Sequence, residues 1–220
     1  MGKIIEITAE DGHALSAYRA DPEGPPKGGL VVVQEIFGVN GHIRGVCDRF
    51  AAAGYAAMAP AVFDRVQRGV ELDYTPAGLA EGRRLVAELD WDGPLLDIAA
   101  AAKALGDAGK VGVVGYCWGG TVAWLAATRL GLPAVGYYGG RTIGVVDETP
   151  KAPVMLIFGE RDPHIPLADV EMIRAAHPDV PIHLYPAGHG FNCEARADYH
   201  AESAAAAEAR TLAFFAEHLA

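Results

Sequence analysis

Cysteine is scarce in this chain: Cys47, Cys117 and Cys193 make an odd count with wide spacing and no CxxC pair. That pattern excludes a disulfide framework and a zinc knot. No HxxxH or His/Cys run has metal-ligand spacing either, so neither a metal nor any other cofactor is expected. Long apolar runs are missing, and nothing approaches the roughly 18 residues a membrane-crossing helix requires. The opening MGKIIEITAEDG lacks an apolar core with a small-residue cleavage site, and Glu6 stands where a myristoylation signal carries Ser or Thr. Positive charge is short as well: 18 Lys and Arg against 28 Asp and Glu give a formal net charge of −10. Such a field repels nucleic acid and anionic membrane, so neither is expected as a partner. Together these absences suggest a reducing, cytoplasmic setting.

What remains is an ordinary globular composition, 51% hydrophobic and 21% charged over 220 residues. That length carries one substantial core, so residues 1–220 are expected to form a single domain, as a monomer or small homo-oligomer. Residues 3–9 and 13–20 flank Asp11-Gly12 and read as an antiparallel hairpin. GLVVVQE (29–35) is a continuous apolar run, as in a strand buried on both faces. Helix and strand patterns then alternate. Strands are predicted at 110–117, 133–139, 153–160 and 181–186, and 55–63 reads as a strand or extended segment interrupted by Pro60. Helices are predicted at 42–53, 77–89, 94–106, 119–129, 166–177 and 201–218, and the irregular stretch 64–80 is a candidate mobile loop near a site. This alternation predicts an α/β fold with a mostly parallel twisted sheet of about eight strands covered by helices on both faces.

In such a sheet, ligands bind at the carboxyl ends of the strands. Cys117 follows one predicted strand in GYCWGG, Asp162 another in FGERDPHIP, and His189 the last in PAGHGFNC. Nucleophile, acid, base is the chain order of the α/β-hydrolase triad. Gly115 and Gly119 permit the sharp turn that lifts a nucleophile to a helix N-terminus, where free N–H groups favour thiolate and a developing oxyanion. A lone cysteine after a strand is otherwise a small buried hydrophobe, so the partners decide the reading. Asp162 is preferred to Glu160, at the strand end, and to Asp169, inside the next helix. Of the other histidines, only His164 and His200 compete with His189. The loop QEIFGVNGH would add the Ile36 N–H to that of Trp118 in an oxyanion hole. Glu35, at the same strand end, is either a solvated charge or a control on Cys117 protonation.

QEIFGVN, GYCWGG, the Asp of GERDPHIP and AGHGF together resemble the dienelactone hydrolase family, in order and spacing over nearly the whole chain. The resemblance implies an α/β-hydrolase fold without a large cap, acting without cofactor on a small-molecule lactone or ester. It implies Cys117 as nucleophile, His189 as general base and then acid, and Asp162 orienting His189. It also implies Glu35 contacting the thiol, and Ile36 and Trp118 as oxyanion donors. One departure concerns the substrate. The family arginine four residues after the histidine is replaced here by Cys193, so Arg196 is the candidate substitute. Arg65, among the basic residues Arg65, Arg68, Arg83 and Arg84, is a candidate second contact. Without that arginine a promiscuous carboxylesterase or thioesterase is the nearest rival. A redox sensor or ligand-binding protein, with Cys117 and Cys193 forming a disulfide, is a rival of another class.

Overall fold

A computed structural model describes residues 2–220. The hairpin forms as its alternation requires: β1 (Lys3–Thr8) pairs antiparallel with β2 (Ala14–Ala20) around Gly12 at φ 84°. Then come β3 (Gly29–Val33), α1 (Gly41–Ala52), β4 (Ala56–Pro60), α2 (Pro76–Ala87) and α3 (Asp92–Ala104). β5 (Val111–Tyr116), α4 (Trp118–Leu125), β6 (Ala134–Tyr137), β7 (Val154–Gly159), α5 (Leu167–Ala176), β8 (Ile182–Tyr185) and α6 (Ala201–His218) complete the chain. The eight strands form one sheet in the order β1-β2-β4-β3-β5-β6-β7-β8. Only the β1–β2 and β2–β4 pairings are antiparallel.

Alternate residues of β5 show why both faces are covered. A Cβ on Gly112 would meet Phe215 of α6, and Tyr116 lies edge-on to His42 of α1. On the opposite face, a Cβ on Gly115 would run into the backbone of α4. Each residue of β3 is buried, as the unbroken apolar run of that central strand demands.

The interruption expected at Pro60 occurs: β4 ends there and Val62–Arg65 turns into a 3-10 helix, because proline ends the ladder. Two local expectations differ from what forms. The helix after the turn at Cys117 ends as α-helix at Leu125 and finishes as a π-helical turn over Ala126–Leu130, closed by Gly131 at φ 68°. The stretch 64–75 is pinned down. Asp64 accepts from the Ser16 and Gly69 amides, Gly38 bridges Glu71, and Thr75 caps α2 through Gly78 N.

Arg65 belongs to this framework. Its guanidinium holds Asp97 of α3 at 2.7 Å and Asp11 of the β1–β2 turn at 2.8 Å, and the Asp97 side chain is wholly buried. Burial pushes the Asp97 carboxyl upward against the pull of Arg65. Arg65→Ala strands that carboxylate and is expected to lower stability by about 3–5 kcal/mol in urea denaturation. A change below about 1 kcal/mol would mean that solvent already screens the pair.

Candidate active site

The turn from β5 into α4 gathers the first group. Cys117 takes φ 56° and ψ −119°, a conformation L-residues rarely adopt and one that persists only where surroundings enforce it. The enforcement is visible: Cys117 N–H donates to Tyr137 O at 3.0 Å, and Cys117 O accepts from Gly120 N at 2.9 Å. Gly115 and Gly119 are there for space. A Cβ on Gly115 would lie 1.8 Å from Gly119 O, and one on Gly119 2.4 Å from Gln34 O.

The loops after β7 and β8 bring in the other two. His189 Nε2 lies 3.2 Å from Cys117 Sγ, and His189 Nδ1 lies 2.7 Å from Asp162 Oδ2. The second Asp162 oxygen accepts the His164 amide at 2.8 Å, so the carboxylate is fixed from both sides. Glu160 is exposed at the end of β7, Asp169 lies within α5, and His200 caps α6 through Ser203 N. His164 stacks edge-on against His189 at 5.2 Å between ring centroids.

Burial opposes a charged His189, but its hydrogen bonds to Asp162 and Cys117 outweigh that and raise its pKa to about 10. A raised folded-state value gives stabilisation that is complete below the ordinary histidine range near 6.5 and is lost as pH climbs towards about 10. The stability difference between wild type and His189→Gln is therefore expected to shrink over that interval. Urea denaturation at several pH values measures it, and a pH-independent gap would show that His189 is neutral throughout.

The cleft above Cys117 encloses about 310 Å³. Ile36, Phe37, Leu79, Val86 and Trp118 form its apolar wall, and Arg83, Arg141 and Arg196 supply cations. Arg83 and Arg141 form no ion pair among the described residues. Trp118 N–H opens α4, and the Ile36 peptide is held on both sides. Gln34 Nε2 donates to Glu35 O at 3.3 Å, and Gly82 of α2 lets that helix sit directly on Ile36 O. A larger groove of about 810 Å³ lies at the amino ends of β7 and β8, around His177, His183 and His218, away from Cys117.

Arg65 is not in this cleft; its ion pairs with Asp97 and Asp11 keep it in the framework. Arg196 is. Successive turns, Cys193 N to Gly190 O and Arg196 N to Cys193 O, fold the loop back on itself. Gly190, at φ 77°, leaves room for the arginine, because a Cβ there would lie 2.6 Å from Arg196 Nε. Glu35 is 1% exposed, so it is not a solvated charge. It makes no hydrogen bond to the sulfur either. Its carboxylate meets Arg196 Nη1 at 3.3 Å and accepts from Tyr74 Oη at 3.2 Å. Tyr74, in turn, is held by Asn40 Nδ2 at 3.2 Å. Sequence reasoning missed Tyr74 altogether, since nothing local marks a tyrosine in a loop as a carboxylate partner. All three cysteines are free thiols.

Residues 15–219 match the model of the Dienelactone hydrolase family. A Yersinia pestis protein provisionally named carboxymethylenebutenolidase is 36% identical, over 94% of this chain and 85% of its own. A crystal structure from Klebsiella pneumoniae, provisionally titled a dienelactone hydrolase, superposes with a TM-score of 0.84 at 35% identity, covering 98% of this chain and 99% of that one. The Pyrococcus furiosus esterase Pf2001 shares the fold at 18% identity, with a TM-score of 0.69 over 100% of this chain and 94% of its own.

Proposed function

The chain belongs to the dienelactone hydrolase family, and from that membership we propose that it hydrolyses a lactone or small carboxylic ester through Cys117, His189 and Asp162. The observation that carries the reading is one imidazole bridging a thiol at 3.2 Å and a buried carboxylate at 2.7 Å. Cys117 passes its thiol proton to His189 Nε2, and the thiolate attacks the carbonyl carbon while the Ile36 and Trp118 amides receive the oxyanion. Collapse expels the ester oxygen, which takes the proton held on His189, and leaves a thioester on Cys117. His189 then removes a proton from water, the hydroxide attacks the thioester, and the released thiol regains its proton as the acid departs. Asp162 keeps the imidazole in the required orientation throughout.

A carboxylate-bearing lactone suits the cleft better than a neutral ester. In a chain of net charge −10, the cleft still presents Arg83 and Arg141 without acidic partners. Arg196 is shared with Glu35, which therefore sets how much of its charge a substrate can use. A panel of lactones with and without an adjacent carboxylate tests this, read as kcat/KM. The anionic members are expected to be preferred by at least about tenfold, corresponding to roughly 1.4 kcal/mol. Arg196→Ala is expected to narrow that preference, mainly through KM. Equal rates for both sets would favour a promiscuous carboxylesterase.

A further inference from the structure

No stretch of the sequence has metal-ligand spacing, yet folding assembles a ligand set behind the cleft. Glu35, His42 and Cys193 bring a carboxylate oxygen, an imidazole nitrogen and a thiol sulfur within 4.8 Å of one another. They come from the end of β3, the first turn of α1 and the loop before α6. All are sealed from solvent: Glu35 is 1% exposed, Cys193 0%, and the His42 side chain 2%. We propose that these three residues form a binding site for a thiophilic divalent cation of the zinc type, separate from Cys117.

His42 is the observation that points to a ligand. Both its ring nitrogens are buried without a hydrogen-bond partner, a rare condition for an imidazole in a folded protein. Glu194 Oε2 stands 3.5 Å from Nδ1, too distant for a sound hydrogen bond but placed as carboxylates are when they orient a ligating histidine. A proton on Nδ1 facing Glu194 leaves the Nε2 lone pair free.

The donor set selects the ion. Oxygen, nitrogen and sulfur together suit zinc and its neighbours, whereas calcium and magnesium take oxygen donors. Tetrahedral zinc holds its donors about 3.3–3.8 Å apart, so binding draws this cluster in by roughly 1 Å. The Tyr74 hydroxyl is hydrogen-bonded to Glu35 and lies against the Cys193 thiol, so it borders the cluster. On binding, Cys193 releases its thiol proton to solvent as the sulfur–metal bond forms. Glu35 and thiolate then balance the two positive charges. The same Glu35 holds Arg196, so occupancy competes with that ion pair.

Cys117 and His189 would also attract such an ion, so the test is made in Cys117→Ala, where hydrolysis plays no part. Cadmium chloride is titrated into that variant and the ultraviolet thiolate-to-cadmium charge-transfer band recorded, with zinc calorimetry in parallel. One ion per chain is expected. The band should vanish when Cys193→Ala is added and persist when Cys47→Ala is added instead. His42→Gln, which keeps Cys193 in place, should weaken zinc binding by at least about tenfold, and it decides the matter should the Cys193 variant fail to fold. No band in Cys117→Ala, a band surviving Cys193→Ala, or unchanged zinc affinity in His42→Gln would each overturn the site.

Discussion

Cys117→Ala is expected to lose at least about 1,000-fold in kcat/KM for lactones and activated esters while remaining folded. The fold survives because alanine keeps the Cβ, so the strained backbone at φ 56° is asked for nothing new. The bonds from Cys117 N to Tyr137 O and from Gly120 N to Cys117 O involve only backbone and remain. Activity does not survive, because His189 loses the one group it can activate at 3.2 Å. The rate left over measures what the Ile36 and Trp118 amides and the cleft do for direct attack by water. Asp162→Asn should be nearly as damaging by another route. An amide in place of the carboxylate at 2.7 Å from Nδ1 favours the wrong tautomer, and loss of the order of 10,000-fold is the expected scale. Circular dichroism of both variants separates chemistry from unfolding.

Gly119→Ala should damage stability and activity together. Its methyl group would lie 2.4 Å from Gln34 O and 2.6 Å from Val33 O, both backbone atoms at the end of β3. β3 is clamped between β4 and β5, so it cannot yield. α4 must move instead, taking Cys117 and the Trp118 amide with it. Overpacking against fixed backbone costs about 3 kcal/mol, which lowers Tm by roughly 6–12 °C in a chain of this size. Gly106→Ala is the control, because nothing lies within 4 Å of a Cβ there. Thermal melts that place both variants near wild type would contradict the packing argument.

The positions of Cys117, Asp162 and His189 were legible because each follows an apolar run and has glycine or proline within two residues. Strand ends and turn residues are local properties, and a parallel sheet converts them into a common edge. The antiparallel β1–β2 hairpin and the alternating helices were legible for the same reason, whereas the antiparallel β2–β4 pairing, set between segments about forty residues apart, was not. Arg196 was harder. Its contact with Glu35 spans 161 residues of sequence and depends on two successive turns after Gly190. Arg65 looked as suitable as Arg196 on charge alone, and only the burial of Asp97 shows why it faces elsewhere. The Glu35–His42–Cys193 cluster joins three segments, so no spacing rule detects it. Charge partners set by long-range packing leave no mark in composition or periodicity.

The central claim is that sulfur carries the acyl group. Rapid mixing with a lactone, acid quenching and mass spectrometry of the digested protein test it most directly. A lactone opens without losing its leaving oxygen, so the predicted adduct adds the whole lactone mass to the peptide bearing Cys117. A linear ester should add only its acyl part, and Cys117→Ala should show neither. Turnover without any adduct on Cys117, or an adduct on another residue at the same rate, would contradict the account.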